Sequence, residues 1–163
     1  FAQDHMQERE VCTILDQIAA GTLTDSDLAT AALAFFQEVL PFHLADEEQD
    51  LFPLMIRRCE PEDGIEETIT RLRNDHAQSR EESQQVIAVL QAFLTDCTLP
   101  SEAENCDFLT SFTTHARRHL IVENAIILPI ARARLSKDDL DRMLINMLKR
   151  RSLDRVIEVP DAE

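Results

Sequence analysis

The sequence contains no tryptophan and no tyrosine among its 163 residues, and only 2 glycines and 6 prolines. Without tyrosine, a phenolate oxygen is excluded as a metal ligand. So few glycines and prolines leave little turn chemistry, which argues against a β-sandwich or a β-barrel. The composition therefore favours long helices joined by a small number of turns.

Closely spaced cysteine pairs are also missing. The four cysteines, which show no C-x2-C spacing, are Cys12, Cys59, Cys97 and Cys106. This pattern is typical neither of a zinc knuckle nor of a dense disulfide framework. Free thiols in a reducing compartment are the simplest interpretation, which predicts a cytoplasmic protein. No apolar run approaches the roughly 20 residues that span a bilayer, so we expect no membrane segment.

Positive charge is scarce, because 16 lysines and arginines face 31 aspartates and glutamates, for a net charge of -15. An acidic domain repels phosphate backbones and anionic lipid surfaces, which argues against nucleic acid and membrane partners. The sequence identifies no protein partner. At this length, with 44% apolar residues, we expect one domain over residues 1–150 and a flexible tail over residues 151–163.

Apolar residues recur at helical intervals, which predicts four long helices and a short fifth one. Ser101 and Ser136 each precede an acidic residue by three positions, which predicts capping boxes at the starts of the fourth and fifth helices. Four long helices joined by short connections pack most easily up-down-up-down. We therefore predict an all-α protein, a four-helix bundle of up-down-up-down topology with a short C-terminal fifth helix.

Two prolines fall inside the predicted second helix. Proline lacks a backbone N–H and its ring clashes with the preceding turn. We expect Pro41 to produce a kink just before His43, and Pro53 to mark either another bend or an early end of the helix.

One phrase occurs at matching points in both halves of the chain. It reads H-x3-E-x3-[L/I]-[F/L]-P, first from His43 through Glu47 to Pro53 and again from His119 through Glu123. Residues four apart lie on one helix face, so each histidine and its glutamate can reach a common point. Imidazole and carboxylate are both ligands for transition metals, and a carboxylate can bridge two cations.

A second phrase, D-H-x-Q-x-R, precedes each copy of the first and contributes His5 and His76. The fifth histidine, His115, lies one helical turn before His119, whereas the corresponding position in the first half is Val39. The duplication predicts a metal site between two helix hairpins with equivalent ligands from each. His115 is the position at which the ligands of the two hairpins are not equivalent.

The number of ligands on each ion depends on whether His115 binds. Suppose that both glutamates and one solvent oxygen bridge two ions, so that each ion has three oxygen donors. The three histidines of the second half would complete six ligands on one ion, and the two of the first half would leave the other with an open position. If His115 does not bind, both ions keep an opening and the site is symmetric.

With these motifs, the sequence resembles the hemerythrin-like family, also called the HHE cation-binding domain, over about Asp4 to Pro129. The resemblance rests on the order H…HxxxE…H…HxxxE and on both trailing LFP-like triplets. It implies a four-helix bundle with a non-haem di-iron centre, in which an oxo or hydroxo group bridges two iron ions. Carried over residue by residue, the implied metal ligands are His5, His43, Glu47, His76, His115, His119 and Glu123.

Ferritin-like di-iron proteins differ, because they use E-x-x-H motifs and mostly carboxylates. The nitrogen-rich set in this sequence favours reversible binding over oxygen-splitting chemistry. We therefore expect binding of dioxygen or a related small ligand, and no catalysed turnover. The alternatives are iron handling (iron–sulfur cluster repair or redox sensing), a peroxide- or nitric-oxide-reducing enzyme, and a mononuclear or zinc structural site.

Two observations have open interpretations. Arg9 and Arg80 of the D-H-x-Q-x-R phrases either pair with acids that orient the metal ligands or form ordinary surface salt bridges. Cys12 lies seven residues after His5 on the same helix face. It is either a redox group near the metal or a small residue of the core.

Overall fold

A computed structural model describes residues 1–23, 25–96 and 103–153 of the chain. It is 90% helical and contains no strand in these ranges. The helices are α1 (Ala2–Ala19), α2 (Ser26–Arg58), α3 (Ile65–Asp96), α4 (103–134) and α5 (Lys137–Arg150). The all-α prediction is confirmed.

The first four helices form a closed ring, in which α1 packs against α2 and α4, and α3 packs against the same two helices. Cross-helix contacts fix the directions. His5 near the start of α1 meets Glu123 in the second half of α4, whereas Asp16 near the end of α1 meets Arg117. These helices therefore run antiparallel, as the predicted bundle requires.

The helix ends within the described residues follow local sequence signals. Gly21 has φ +70° directly after the end of α1, where a left-handed residue closes the last turn. Ser136 and Asp139 form the predicted capping box of α5, with each side chain bonding the other residue's backbone N–H. The predicted box at Ser101 and the predicted tail beyond Leu153 lie outside the described residues.

Prolines inside α2 and α4 are accommodated by π-helical turns. Each turn ends two residues before a proline, and the three turns are Phe35–Val39, Glu47–Leu51 and Glu123–Ile127. Because proline offers no N–H and crowds the carbonyl four residues back, the wider turn lets the helix continue. The chain does not end its helix at Pro53, since α2 continues to Arg58. The distortion expected before His43 takes the form of the first of these turns.

The apolar core is divided into two clusters. The first cluster lies towards one end of the bundle and includes Leu15, Ile18, Phe35, Leu90, Leu109 and Phe112. The second lies towards the other end and includes Phe52, Met55, Ile69, Leu72, Ile127 and Met143. Along α2, α3 and α4, the histidines and glutamates of the repeated phrases fall between these two clusters.

Ion pairs attach α5 to α2. Arg150 and Arg151 both bind the carboxylate of Asp46, which is fully buried, and Arg150 also binds Asp50 at 2.6 Å. At the other end of α5, Asp139 accepts two hydrogen bonds from Arg58. Buried acids of α2 are therefore paired with the arginines of the short fifth helix.

The helix α2 is long and apolar enough, by length and composition, to cross a membrane. A core helix of a soluble bundle passes the same test, and α2 packs against α1 and α3. This is weak evidence for a membrane span. The expected absence of a membrane segment stays a prediction.

Candidate metal centre

Six of the seven predicted ligands lie together in the middle of the bundle. They form two groups, the first being His5, His43, Glu47 and Glu123, and the second Glu47, His76, His119 and Glu123. In each group, one donor atom of every residue lies within 4.8 Å of the others. Both glutamates belong to both groups, so each carboxylate lies between two pairs of histidines.

Every helix of the ring contributes to this cluster. The helices α1 and α3 each bring one histidine, whereas α2 and α4 each bring a histidine and, one turn later, a glutamate. Glu47 and Glu123 are each the first residue of a π turn. Such turns are rare and occur frequently at functional sites. The sequence repeat is therefore also a repeat of backbone geometry.

Distances in the second group suit ligands of a common ion. Nε2 of His119 lies 2.9 Å from Oε1 of Glu123, and Nε2 of His76 lies 3.3 Å from Oε2 of Glu47. The two Nε2 atoms are 3.2 Å apart. Two ligands bound about 2.1 Å from one ion at a right angle are about 3 Å apart. The donors are thus already spaced as a metal ion requires.

The first group is slightly wider. Nε2 of His5 lies 3.2 Å from Oε2 of Glu123, and Nε2 of His43 lies 3.7 Å from Oε2 of Glu47. The rings of His5 and His43 meet edge to face, with their centroids 5.1 Å apart. This group also leaves room for an ion between its donors.

The burial of these donors provides a test of whether a cation fits. Glu47 and Glu123 are 0% exposed, and none of their four carboxylate oxygens has a hydrogen-bond partner among the described residues. Both ring nitrogens of His5 and of His43 are also buried without one. Unsatisfied polar atoms in a protein interior are costly and rare. Two cations held by these atoms would remove that cost, so the residues present fit a metal centre.

The buried carboxylates change the basicity of the histidines. Burial by itself lowers the pKa of His43, but Glu47 and Asp4 outweigh it and raise that pKa to about 9. Burial opposes protonation of His76 too, yet the nearby carboxylates of Glu123 and Glu47 raise its pKa to about 10. The same contacts hold the pKa of Glu47 far below its usual range, despite its burial.

Metal loading should therefore release protons. At pH 7 the metal-free site keeps His43 and His76 protonated, and we expect ion binding to displace about two protons per chain. Because both pKa values exceed 6.5, protonation stabilises the metal-free fold fully below that pH, and this contribution is lost as pH rises through 9 to 10. Metal affinity should rise over the same window. Addition of iron(II) to weakly buffered anaerobic protein with a pH indicator measures the release, and its absence would contradict this charge assignment.

The aspartates of the repeated D-H phrase contact the centre from outside. Asp4 lies 3.5 Å from Nδ1 of His43, and Asp75 lies 3.5 Å from Nδ1 of His119. The interaction with His43, stronger than the opposing effect of burial, lowers the pKa of Asp4 to about 2. Sequence reasoning considered the arginines of the phrase and missed these acids. Both aspartates directly precede the histidine of the repeated phrase, and this shared position could have identified them.

The two arginines of the phrase behave differently. Arg80 donates to Oε2 of Glu48 at 2.6 Å, and Oε1 of Glu48 lies 3.0 Å from Nδ1 of His76. Arg9 is exposed and forms no ion pair with any residue of the described ranges. Only one arginine therefore supports a histidine of the centre.

His115 belongs to neither group. It is half-buried, and its buried Nε2 atom has no hydrogen-bond partner in the part of the chain that the structure describes. Its assignment as a ligand stays a prediction.

Cys12 is 1% exposed in the first apolar cluster, and burial chiefly raises the pKa of its thiol to about 12. A thiol that stays protonated is a poor nucleophile and a poor redox group. This favours the interpretation of Cys12 as a core residue.

Glu8 is a buried acid that sequence reasoning did not single out. It is 8% exposed and lies one helical turn after His5. Burial raises the pKa of Glu8, and the opposing effects of His43 and His119 do not overcome it. Its counterpart in the second D-H-x-Q-x-R phrase is Ser79, so this acid is present in only one half of the repeat.

Comparison with known proteins agrees with this geometry. Residues 1–131 match the family model described as the hemerythrin HHE cation-binding domain. Neither the curated proteins nor the solved structures contain a match to this chain. The family match covers all six clustered residues and the four helices that carry them. The chain therefore belongs to the hemerythrin HHE cation-binding domain family.

Proposed function

We propose that this protein holds two iron ions in the cluster and binds dioxygen or a related small ligand reversibly. The observation that carries the proposal is the position of Glu47 and Glu123, which are fully buried and shared by both groups of donors. A carboxylate between two pairs of imidazoles is suited to bridging two cations. One ion alone would leave half of these buried donors unsatisfied.

The donor set supports binding rather than oxygen splitting. Four imidazoles and two carboxylates converge, so nitrogen donors outnumber the carboxylate groups. When bound, a reduced pair of iron ions would supply the electrons for uptake of a small oxidising ligand. His76 and His119 would hold one ion, and His5 and His43 the other. We retain His115 as a proposed seventh ligand because its buried Nε2 atom has no other partner.

The surroundings support access for a small apolar ligand. A cavity of about 240 Å³ is lined mainly by apolar side chains, including Phe1, Leu51 and Leu128. The ring of Phe1 meets that of His43 with centroids 5.8 Å apart. Dioxygen can pass along such a surface, whereas bulk water is disfavoured. Phe1 thus connects the lining of this cavity to His43, one of the two histidines that sequence reasoning left with the open position.

The decisive measurement combines metal content with ligand reversibility. We expect about two irons per chain after anaerobic reconstitution, followed by a visible absorption band on exposure to oxygen that disappears when oxygen is removed. Repeated cycles should restore the starting spectrum. One zinc per chain with no uptake of iron, or irreversible oxidation without the band, would refute the proposal.

An enzymatic reduction of peroxide or nitric oxide is the second candidate. Glu8 favours it, because this buried carboxyl group lies one helical turn after His5 and burial raises its pKa, which suits a proton donor to a bound ligand. Steady consumption of peroxide or nitric oxide by the iron-loaded protein, lost in Glu8→Gln, would support it over simple binding. Iron handling would show instead as transfer of the iron to an acceptor protein or chelator.

The thiols and the net charge of the chain support a proposal on its compartment and its partners. Cys12 and Cys59 are free thiols, which is typical of a reducing compartment such as the cytoplasm. The net charge of -15 supports the proposal that nucleic acids and anionic membranes are not partners.

A further inference from the structure

The repeat differs at the residue that follows each glutamate. This residue is Glu48 in the first copy and Asn124 in the second. The Glu48 carboxylate spans two partners on α3, with Oε1 3.0 Å from Nδ1 of His76 and Oε2 2.6 Å from Nη2 of Arg80. Asn124 instead donates to the carbonyl oxygen of Leu120, one turn back on its own helix.

The hydrogen bond at Nδ1 decides which ring nitrogen of His76 faces the cluster. When Nδ1 donates its proton to Glu48 and Nε2 gives up its own proton to bind an ion, the lone pair of Nε2 is directed towards Glu47 and His119. His76 is 0% exposed, and Phe52 stacks on its ring with an interplanar angle of 24°. A carboxylate on one side and an aromatic ring on its face therefore restrict its orientation.

In the described part of the chain, no other clustered histidine makes a hydrogen bond at Nδ1, although Asp4 and Asp75 lie near two of them. Nδ1 of His5, the counterpart of His76, is buried without a hydrogen-bond partner. Nδ1 of His43 and of His119 each lie 3.5 Å from an aspartate and make no hydrogen bond. The two halves of the repeat thus supply similar metal ligands, but the outer nitrogen of His76 is hydrogen-bonded and that of its counterpart His5 is not.

We propose that Glu48, held by Arg80, is a positioning residue that makes the metal position beside His76 and His119 the tighter of the two. The two ions then load in order, first beside His76 and His119 and second beside His5 and His43. The inference rests on the proposed two-ion function. Its physical basis is that a carboxylate bonded to the outer nitrogen of a ligand histidine fixes the tautomer and raises the basicity of the inner nitrogen.

Anaerobic titration with iron(II), followed by calorimetry and by Mössbauer spectroscopy of the half-loaded protein, tests the order. The wild type should bind in two resolved steps, and one equivalent of iron should give a single type of site. In Glu48→Gln the tighter step should weaken by about 10- to 100-fold, which merges the two steps. Glu38→Gln removes an exposed carboxylate from the same helix and should leave both steps unchanged.

The reciprocal variant excludes a merely structural role. Asn124→Glu places a carboxylate where the repeat symmetry puts it beside His5 and Arg9. We expect it to strengthen the weaker step by about 10- to 100-fold, a gain that no loss of packing can produce. Circular dichroism checks that each variant stays helical.

Several results would overturn the proposal. They are two equal steps in the wild type, an unchanged tighter step in folded Glu48→Gln, or no gain in Asn124→Glu. A wild type that binds two ions equally refutes the order of loading and leaves the two-ion function standing. A wild type that binds no iron refutes both.

Discussion

Glu47→Gln should abolish binding of both metal ions. Its carboxylate lies against both groups of histidines, because Oε1 is 3.8 Å from Nε2 of His5, and Oε2 is 3.7 Å from Nε2 of His43 and 3.3 Å from Nε2 of His76. An amide offers only one oxygen and carries no charge, so neither ion keeps an anionic ligand at this position. We expect the affinity of both binding steps to fall by more than about 100-fold, and Glu123→Gln should behave the same way.

Metal content after anaerobic loading and desalting measures this loss. The matched control is again Glu38→Gln, which should retain two ions. His5→Ala adds a second comparison, because it removes a donor from one group only and should weaken one step. If Glu47→Gln loses only one ion, the carboxylate does not bridge and the arrangement of two ions about shared glutamates is wrong.

Phe52→Ala should cause the largest loss of stability near the centre. Phe52 is 0% exposed in the second apolar cluster, and its ring stacks on that of His76 with centroids 5.5 Å apart. Removing a buried phenyl ring leaves a cavity and costs about 3–5 kcal/mol of unfolding free energy. His76 also loses the surface against which its ring is held, so metal affinity should fall as well.

Urea unfolding in the presence of a chelator measures the stability of the metal-free protein, and iron titration measures the affinity. Phe35→Ala is the matched control, since Phe35 is equally buried but lies in the first cluster. It should cost a similar amount of stability and leave the affinity of the folded fraction unchanged. Equal losses of affinity in both variants would show that general loosening of the bundle, and not the stacking on His76, is responsible.

Much of the fold was predictable because its signals are local. Helical periodicity, the glycine after α1 and the capping box at Ser136 each act within a few residues of sequence. The π turns were not predicted. A proline in a helix pattern indicates a disturbance, but whether the helix ends, bends or widens depends on whether packing on both sides stabilises its continuation. In α2, the buried Phe52 and Met55 on either side of Pro53 stabilise the continued helix.

The candidate site was predictable for a different reason. A repeated phrase places the same residue types at the same helical spacing twice, so it indicated six residues that the structure brings together. Asp4, Asp75, Glu48 and Glu8 were missed because each acts on a residue of another helix or depends on burial. No spacing along one helix encodes which side chain of the neighbouring helix lies opposite.

By itself, the sequence determined the helical class and the family, and it predicted seven metal ligands, of which six meet in the bundle, since these follow from periodicity and from a motif written twice. Only the tertiary structure decided how the two halves differ. Sequence reasoning identified His115 as the unequal position, yet this residue lies outside both groups of donors. The difference that the structure shows is instead at Glu48, whose carboxylate crosses from α2 to α3 and bonds His76. Such a contact depends on the packing of two helices, and packing is a property of the folded chain.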